Sequence, residues 1–139
     1  MNKSTALPYS IIALDLDGTL TNSEKNITPR TLDALMKAQR EGVRLVLASG
    51  RPTFGIAALA NQLQLADYGG YVLSYNGGRI IDWCEKTVIF SQVVDQKLVP
   101  ILYDFAEKAQ LPIVTYLPEA ISASKNEGEY LAEEARING

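Results

Sequence analysis

Apolar positions in this chain come in short bursts separated by polar stretches of helical length. Residues 11 to 16 (IIALDL) form a near-continuous apolar run, as expected of a strand buried on both faces in a parallel sheet. Thr28-Pro29 then marks a helix start, with the threonine as N-cap and the proline at the first helical position. Leu32, Leu35, Met36 and Gln39 step along that helix, and Gly42 closes it. VRLVLAS (43 to 49) reads as a second buried strand, RPTFGIAALANQLQL (51 to 65) as a second helix despite Gly55, and GYVLSYN (70 to 76) as a third strand. This βαβαβ rhythm predicts an α/β fold built on a Rossmann-like, doubly wound parallel sheet.

The rhythm changes after residue 76. GGRIIDW and KTVIFSQ are short extended runs around a polar turn, the pattern of a β-hairpin. Asp95 is placed to cap a helix reaching about Gln110, with Leu98, Leu102, Phe105 and Ala109 along one stripe. PIVTYL and AISASK read as two further strands, and EGEYLAEEARI as the start of another helix. The change in rhythm alone sets a boundary between a region 1–92 and a region 93–139.

Composition narrows the chemistry. A chain of 139 residues can bury roughly two-thirds of its unfolded surface, enough for a real core. With 47% hydrophobic and 21% charged residues it reads as an ordinary globule. The net charge of −3 and the scattered lysines and arginines offer no nucleic-acid or membrane surface. Cys84 is the single cysteine, so no intrachain disulfide forms. The N-terminal apolar run is short and soon meets Asp15 and Asp17, unlike a signal peptide. The expected location is cytoplasmic. The chain has no histidine, which excludes Ser-His-Asp and Cys-His catalysis and His-ligated zinc within it. Carboxylates, hydroxyls, amines, backbone dipoles or a hard metal ion must carry any reaction.

Asp15 and Asp17 end the first strand two residues apart, so in extended chain they project to the same side. Gly18 lets the chain turn just beyond them. Two carboxylates ~5 Å apart repel by roughly 3 kcal/mol at an effective dielectric of 20, a cost that a hard dication reverses. For a lone D-x-D a solvated loop or an Asx turn is the plainer reading, but the apolar strand before this pair and the Gly-Thr after it favour the metal site. A calcium-binding EF-hand loop fails, because its twelfth position here is Asn26 where a glutamate is needed. Ser49 ends the second strand before a Gly-Arg-Pro and a helix, which suits either an anion site or a simple helix cap. Asn76 ends the third strand before two glycines, where Asn-Gly is also a common hairpin turn. Together, Asp15, Asp17, Ser49 and Asn76 lie at the carboxyl ends of three consecutive strands, the place where open α/β sheets bind ligands.

Three segments carry a resemblance to a known family. DLDGTL (15 to 20) resembles motif one of the haloacid dehalogenase-like phosphatase superfamily. LASGRP (47 to 52) resembles its motif two, and SYNGG (74 to 78) the third-strand signature of its Cof-type branch. The resemblance implies the first three strands of that family's core, followed from about residue 93 by the start of its α/β cap domain. It implies a Mg2+-dependent phosphatase of small phosphorylated metabolites, sugar phosphates or similar, working through an aspartyl-phosphate. Asp15 would be the nucleophile and Asp17 the acid, then the base. Magnesium would be held by Asp15 and by the backbone carbonyl of Asp17. Ser49, the Gly50 amide, Arg51 and Asn76 would meet the phosphate or substrate. Asp17 would then carry a proton near neutral pH, favoured by partial desolvation and by the neighbouring carboxylate.

Family members of this type are longer. They carry a later lysine and a G-D-x-x-x-D motif, and neither has a counterpart after residue 78 here. The resemblance therefore implies a truncated chain whose first strand lacks its neighbour on one side, leaving a sheet edge through which it could self-associate. Two other readings stay beside the phosphatase: an incomplete fragment that keeps only a metal and phosphate pocket, and a receiver-like phosphoacceptor module.

Overall fold

The computed structural model describes residues 9–125 and 129–138, which fall into two compact units that meet in sequence at Ser91/Gln92. The first unit contains β1 (Ile11–Asp15), α1 (Pro29–Arg40), β2 (Arg44–Ala48), α2 (Thr53–Gln62), α3 (Leu65–Tyr68), β3 (Tyr71–Ser74), β4 (Arg79–Asp82) and β5 (Thr87–Ser91). Its five strands form one sheet in the order β1-β2-β3-β4-β5. β1, β2 and β3 are parallel, while β4 and β5 add antiparallel as the expected hairpin. The result is an α/β sheet with a Rossmann-like parallel half.

Local chemistry accounts for α1. The Thr28 hydroxyl accepts from the Thr31 N–H and proline occupies the first turn. The chain leaves through Gly42, whose N–H donates to Gln39 O while Val43 N–H donates to Ala38 O. The sheet order runs steadily one way across β1, β2 and β3, so crossovers of one hand place α1 and α2 on the same face. Gln39 Nε2 donates to Leu63 O at 2.8 Å and joins the two helices. Leu16, Leu45, Leu47, Ile56, Leu63 and Val72 are fully buried beneath them. Trp83 closes this core from the end of β4, donating from Nε1 to Asn61 Oδ1.

Three expectations are corrected. First, β1 is not buried on both faces: it lies at the edge of the sheet, and Ile11 is 55% exposed. Along β2 and β3 burial alternates, since helices cover only one face. Second, the segment 51–65 is not one helix. α2 ends at Gln62, and Gln64 turns left-handed (φ +53) before the short α3.

The third correction lies in the second unit, which holds α4 (Val99–Lys108), β6 (Val114–Leu117), β7 (Ala120–Ala123) and α5 (Glu129–Asn138). β6 and β7 form the expected antiparallel pair. Asp95 caps a 3-10 turn at Gln96–Leu98, and α4 follows with Pro100 in its first turn. The helix thus starts later than the Asp95 cap suggested; of the expected stripe Leu98, Leu102 and Phe105 are exposed, and Ala106 is the buried residue of α4. The start of the last expected helix, Glu127 and Gly128, lies outside the described residues.

An edge strand with free backbone groups and an exposed isoleucine is a template for pairing. Sedimentation velocity at rising concentration should reveal self-association, and Ile11→Lys should return the chain to monomer. A monomer at every concentration would count against a role for this edge.

Candidate active site

The parallel register sets the site. Asp15 pairs with Ala48, and Ala48 pairs with Leu73, so three strands end at one level. Backbone hydrogen bonds then lace the two loops beyond: Ser49 N–H to Leu73 O, Asn76 N–H to Ser49 O and Tyr75 N–H to Arg51 O, each 3.0 Å. Tyr75, Asn76 and Gly77 are successively left-handed, at φ +55, +55 and +85. A non-glycine residue held there costs of order 1–3 kcal/mol and persists only when its surroundings enforce it. Asn76 is thus both the hairpin turn and a member of the site. Gly50 makes the close approach possible: a Cβ there would stand 3.1 Å from Asn76 Oδ1.

An open cavity of about 330 Å³ results, lined by Asp15, Ala48, Ser49, Gly50, Leu73, Asn76 and Gly77. No described residue gives the Asp15 carboxylate a hydrogen bond or an ion pair. Ser49 is not the N-cap of α2, which begins four residues later behind Pro52. Its Oγ accepts from the Arg51 N–H at 3.2 Å, so the hydroxyl proton is left to donate elsewhere. Beneath the cavity Ser74, fully buried, hydrogen-bonds Thr53 at the start of α2. A second cavity of about 360 Å³, in the second unit, is lined mainly by apolar groups such as Val99, Leu102 and Ile113 and has no charged residue. The first cavity gathers the sequence-predicted residues Asp15, Ser49, Gly50 and Asn76.

Asp17 and Arg51 stand elsewhere than the motif spacing suggested. Neither lines the cavity. Beyond Asp15 the chain doubles back, with Leu20 N–H on Asp15 O and Thr21 N–H and Oγ1 on Leu16 O. Gly18 makes the turn at φ +82. Asp17 is then clasped by two cations. Arg51 donates from Nη2 to Oδ1 at 2.6 Å and from Nε to Oδ2 at 3.1 Å, and Lys25 Nζ donates to Oδ1 at 2.8 Å. A further Arg51 nitrogen reaches Gly55 O.

The Arg51 hydrogen bonds, opposed by burial and joined by Lys25, hold the Asp17 carboxyl below the ordinary carboxylate range. In this paired arrangement the ionised form of Asp17 is favoured, the opposite direction from the one its neighbouring carboxylate and desolvation suggested. The neighbouring guanidinium and ammonium outweigh desolvation. Lys25 is a site residue that motif reading missed. Its only local signal is the pair of turn-forming asparagines, Asn22 and Asn26, on either side of it.

The donor set bears on a metal ion. Among the described residues no group of three or more Asp, Glu, His or Cys could hold one. The Asp17 carboxylate is held by Arg51 on both oxygens and by Lys25 on one. What remains is the free Asp15 carboxylate and nearby backbone oxygens, a sparse all-oxygen set. It fits a magnesium ion that keeps several waters and shares a substrate phosphate.

The family model of the haloacid dehalogenase-like hydrolases matches residues 12–137. The chain belongs to that family. A haloacid dehalogenase-like hydrolase from Bacteroides thetaiotaomicron, solved by crystallography, is 47% identical with a TM-score of 0.89, over 94% of this chain and 49% of its own. The subclass IIB sugar phosphatase BT4131 is 26% identical with a TM-score of 0.73, over 89% of this chain and 46% of its own. Phosphatase YwpJ of Bacillus subtilis (strain 168) is 30% identical over 121 residues, 87% of this chain and 41% of that protein. This haloacid dehalogenase-like chain therefore spans about half the length of the relatives it matches.

The clasp on Asp17 has a pH signature. A carboxyl depressed in the folded state adds stability above its unfolded value, about 3.9, and that contribution is lost as pH falls through the folded value. In EDTA, Asp17→Asn should melt below the parent near pH 6, and the gap should close as pH drops below about 4. A gap that does not change with pH would show that the pairs contribute nothing.

Proposed function

We propose that this chain carries the nucleophile half of a magnesium-dependent phosphatase acting on small phosphorylated metabolites through an aspartyl-phosphate. The observation that carries the reading is the unpaired Asp15 carboxylate in a cavity it shares with Ser49, Gly50 and Asn76. Phosphoryl transfer asks mainly for positioning and charge neutralisation. An Asp15 oxygen forms the new bond to phosphorus as the bond to the leaving oxygen breaks. The Ser49 hydroxyl, its acceptor side taken by the Arg51 N–H, is free to donate to a phosphoryl oxygen. The Gly50 N–H and the Asn76 amide offer further donors at the same rim. Water then cleaves the aspartyl-phosphate, freeing orthophosphate and restoring the carboxylate.

Asp15 and the Asp17 carbonyl would hold the magnesium ion, which when bound neutralises charge on the nucleophile and the phosphoryl group. Asp17 would protonate the leaving oxygen and later take a proton from water. Its clasp with Arg51 and Lys25 must open for the first of these, so the paired arrangement is a resting one. Arg51 serves Asp17 in this state, and a direct role on substrate would need the same opening. The sugar-phosphatase relative supports phosphorylated sugars as a substrate class.

One observation favours the second reading, a chain that binds metal and phosphate without turnover. Among the described residues β1, which carries Asp15, has a strand neighbour on one side only. Hydrolysis of para-nitrophenyl phosphate separates the two. Under the first reading, activity requires Mg2+ and falls by about 10³-fold or more in Asp15→Asn. Mg2+ binding with no turnover would select the second, and turnover untouched by Asp15→Asn would sink both. Persistence of phosphate on Asp15 after acetyl-phosphate labelling would instead indicate a phosphoacceptor.

A further inference from the structure

Main-chain hydrogen bonds from Ser49 to Leu73, Asn76 to Ser49 and Tyr75 to Arg51 lace the loop after β2 to the loop after β3, and side-chain substitution leaves them in place. A further link between the same segments runs through side chains. Ser74, the last residue of β3, and Thr53, the first of α2, share a hydrogen bond of 2.9 Å between their hydroxyls. Ser74 is fully buried, on the same side of β3 as Val72. A buried hydroxyl costs free energy unless it is bonded, whereas an apolar pair of the same shape would sit here at little or no loss. Packing alone therefore does not call for it. Nor is Thr53 spent on the helix end, since Pro52 holds the cap position of α2 and no side chain bonds there. What the hydroxyl pair adds over an apolar contact is direction. It fixes the first residue of α2 against the residue that precedes the left-handed run at Tyr75.

We propose that Ser74 and Thr53 are positioning residues for a bound phosphate, their hydroxyl pair holding the Ser49–Gly50 loop at a fixed spacing from Asn76. The inference rests on the phosphatase reading of the cavity and deepens it. Each partner sits within a few residues of groups that line the cavity: Ser74 between Leu73 and Asn76, and Thr53 just after Ser49 and Gly50. Between Gly50 and Thr53 the chain is stiffened by Pro52, fully buried and fixed in φ by its ring. The spacing has little slack, because a Cβ on Gly50 would already stand 3.1 Å from Asn76 Oδ1. Without the pair, the start of α2 is free to drift from the end of β3. The Ser49 hydroxyl and the Gly50 N–H then move with α2, while Asn76 stays with the hairpin. Donors that converge on one phosphoryl group no longer meet there.

The test titrates inorganic phosphate against the full chain with Mg2+ present, reading 31P line broadening, and follows thermal melting by circular dichroism. The parent should bind phosphate, and Ser49→Ala should weaken that binding. Ser74→Ala and Thr53→Val should each lower the melting temperature, because each leaves the other hydroxyl without its partner, and the double variant should regain part of the loss. Phosphate binding should instead weaken by about fivefold in each single variant and stay weak in the double. Thr53→Ser keeps the hydroxyl and should rescue binding. Asn61→Ala, which loses the Trp83 hydrogen bond and does not line the cavity, should melt lower yet bind phosphate as the parent does. Parental binding in the double variant, weak binding in Thr53→Ser, or equal weakening in Asn61→Ala overturns the positioning role and leaves the phosphatase reading standing. A parent that binds no phosphate, or binding that ignores Ser49→Ala, overturns that reading and this inference with it.

Discussion

Three backbone hydrogen bonds between the loops after β2 and β3 hold the site together. They fix Ser49 and Asn76 at one height and bring Asn76 over Gly50, where a Cβ would crowd the Asn76 side chain. Asp15 is aligned with them by the parallel register and needs no side-chain contact of its own. The main chain thus does most of the positioning. A nucleophilic carboxylate can then remain unpaired, because no neighbour is required to steer it. The local cost is the left-handed run at Tyr75 and Asn76, offset by the hairpin that begins there.

The two aspartates of DLDGTL divide the electrostatic labour. Asp15 is bare and open to a cation, whereas Asp17, two residues on, is neutralised by Arg51 and Lys25. The fold achieves this by ending β1 at Asp15 and doubling the chain back through Gly18, so the strand geometry that would point both carboxylates the same way stops between them. Mutual repulsion is relieved without a metal bridging both side chains.

Much of this was legible in the sequence, and the limits have physical causes. The strands, the Thr28-Pro29 helix start and the β4–β5 hairpin follow from local signals: apolar runs, a hydroxyl cap and turn residues. The convergence of Asp15, Ser49 and Asn76 was legible because strand ends in a parallel sheet must meet. The partners of Asp17 were not, since Arg51 lies 34 residues away and a lysine in a short loop carries no periodic signal. The break at Gln64 was hidden because its flanking residues are good helix formers, and only a left-handed φ reveals it. The stripe on α4 was read as apolar, and its exposure was not legible. Periodicity tells which face is greasy, but burial depends on whether anything packs there.

Trp83, the chain's single tryptophan, seals the core from the end of β4, with its indole N–H on Asn61 of α2 and the Lys86 ammonium 3.7 Å from its ring centroid. Both of these partners belong to the first unit. Emission excited selectively at tryptophan therefore reports on the core of that unit, through a single probe.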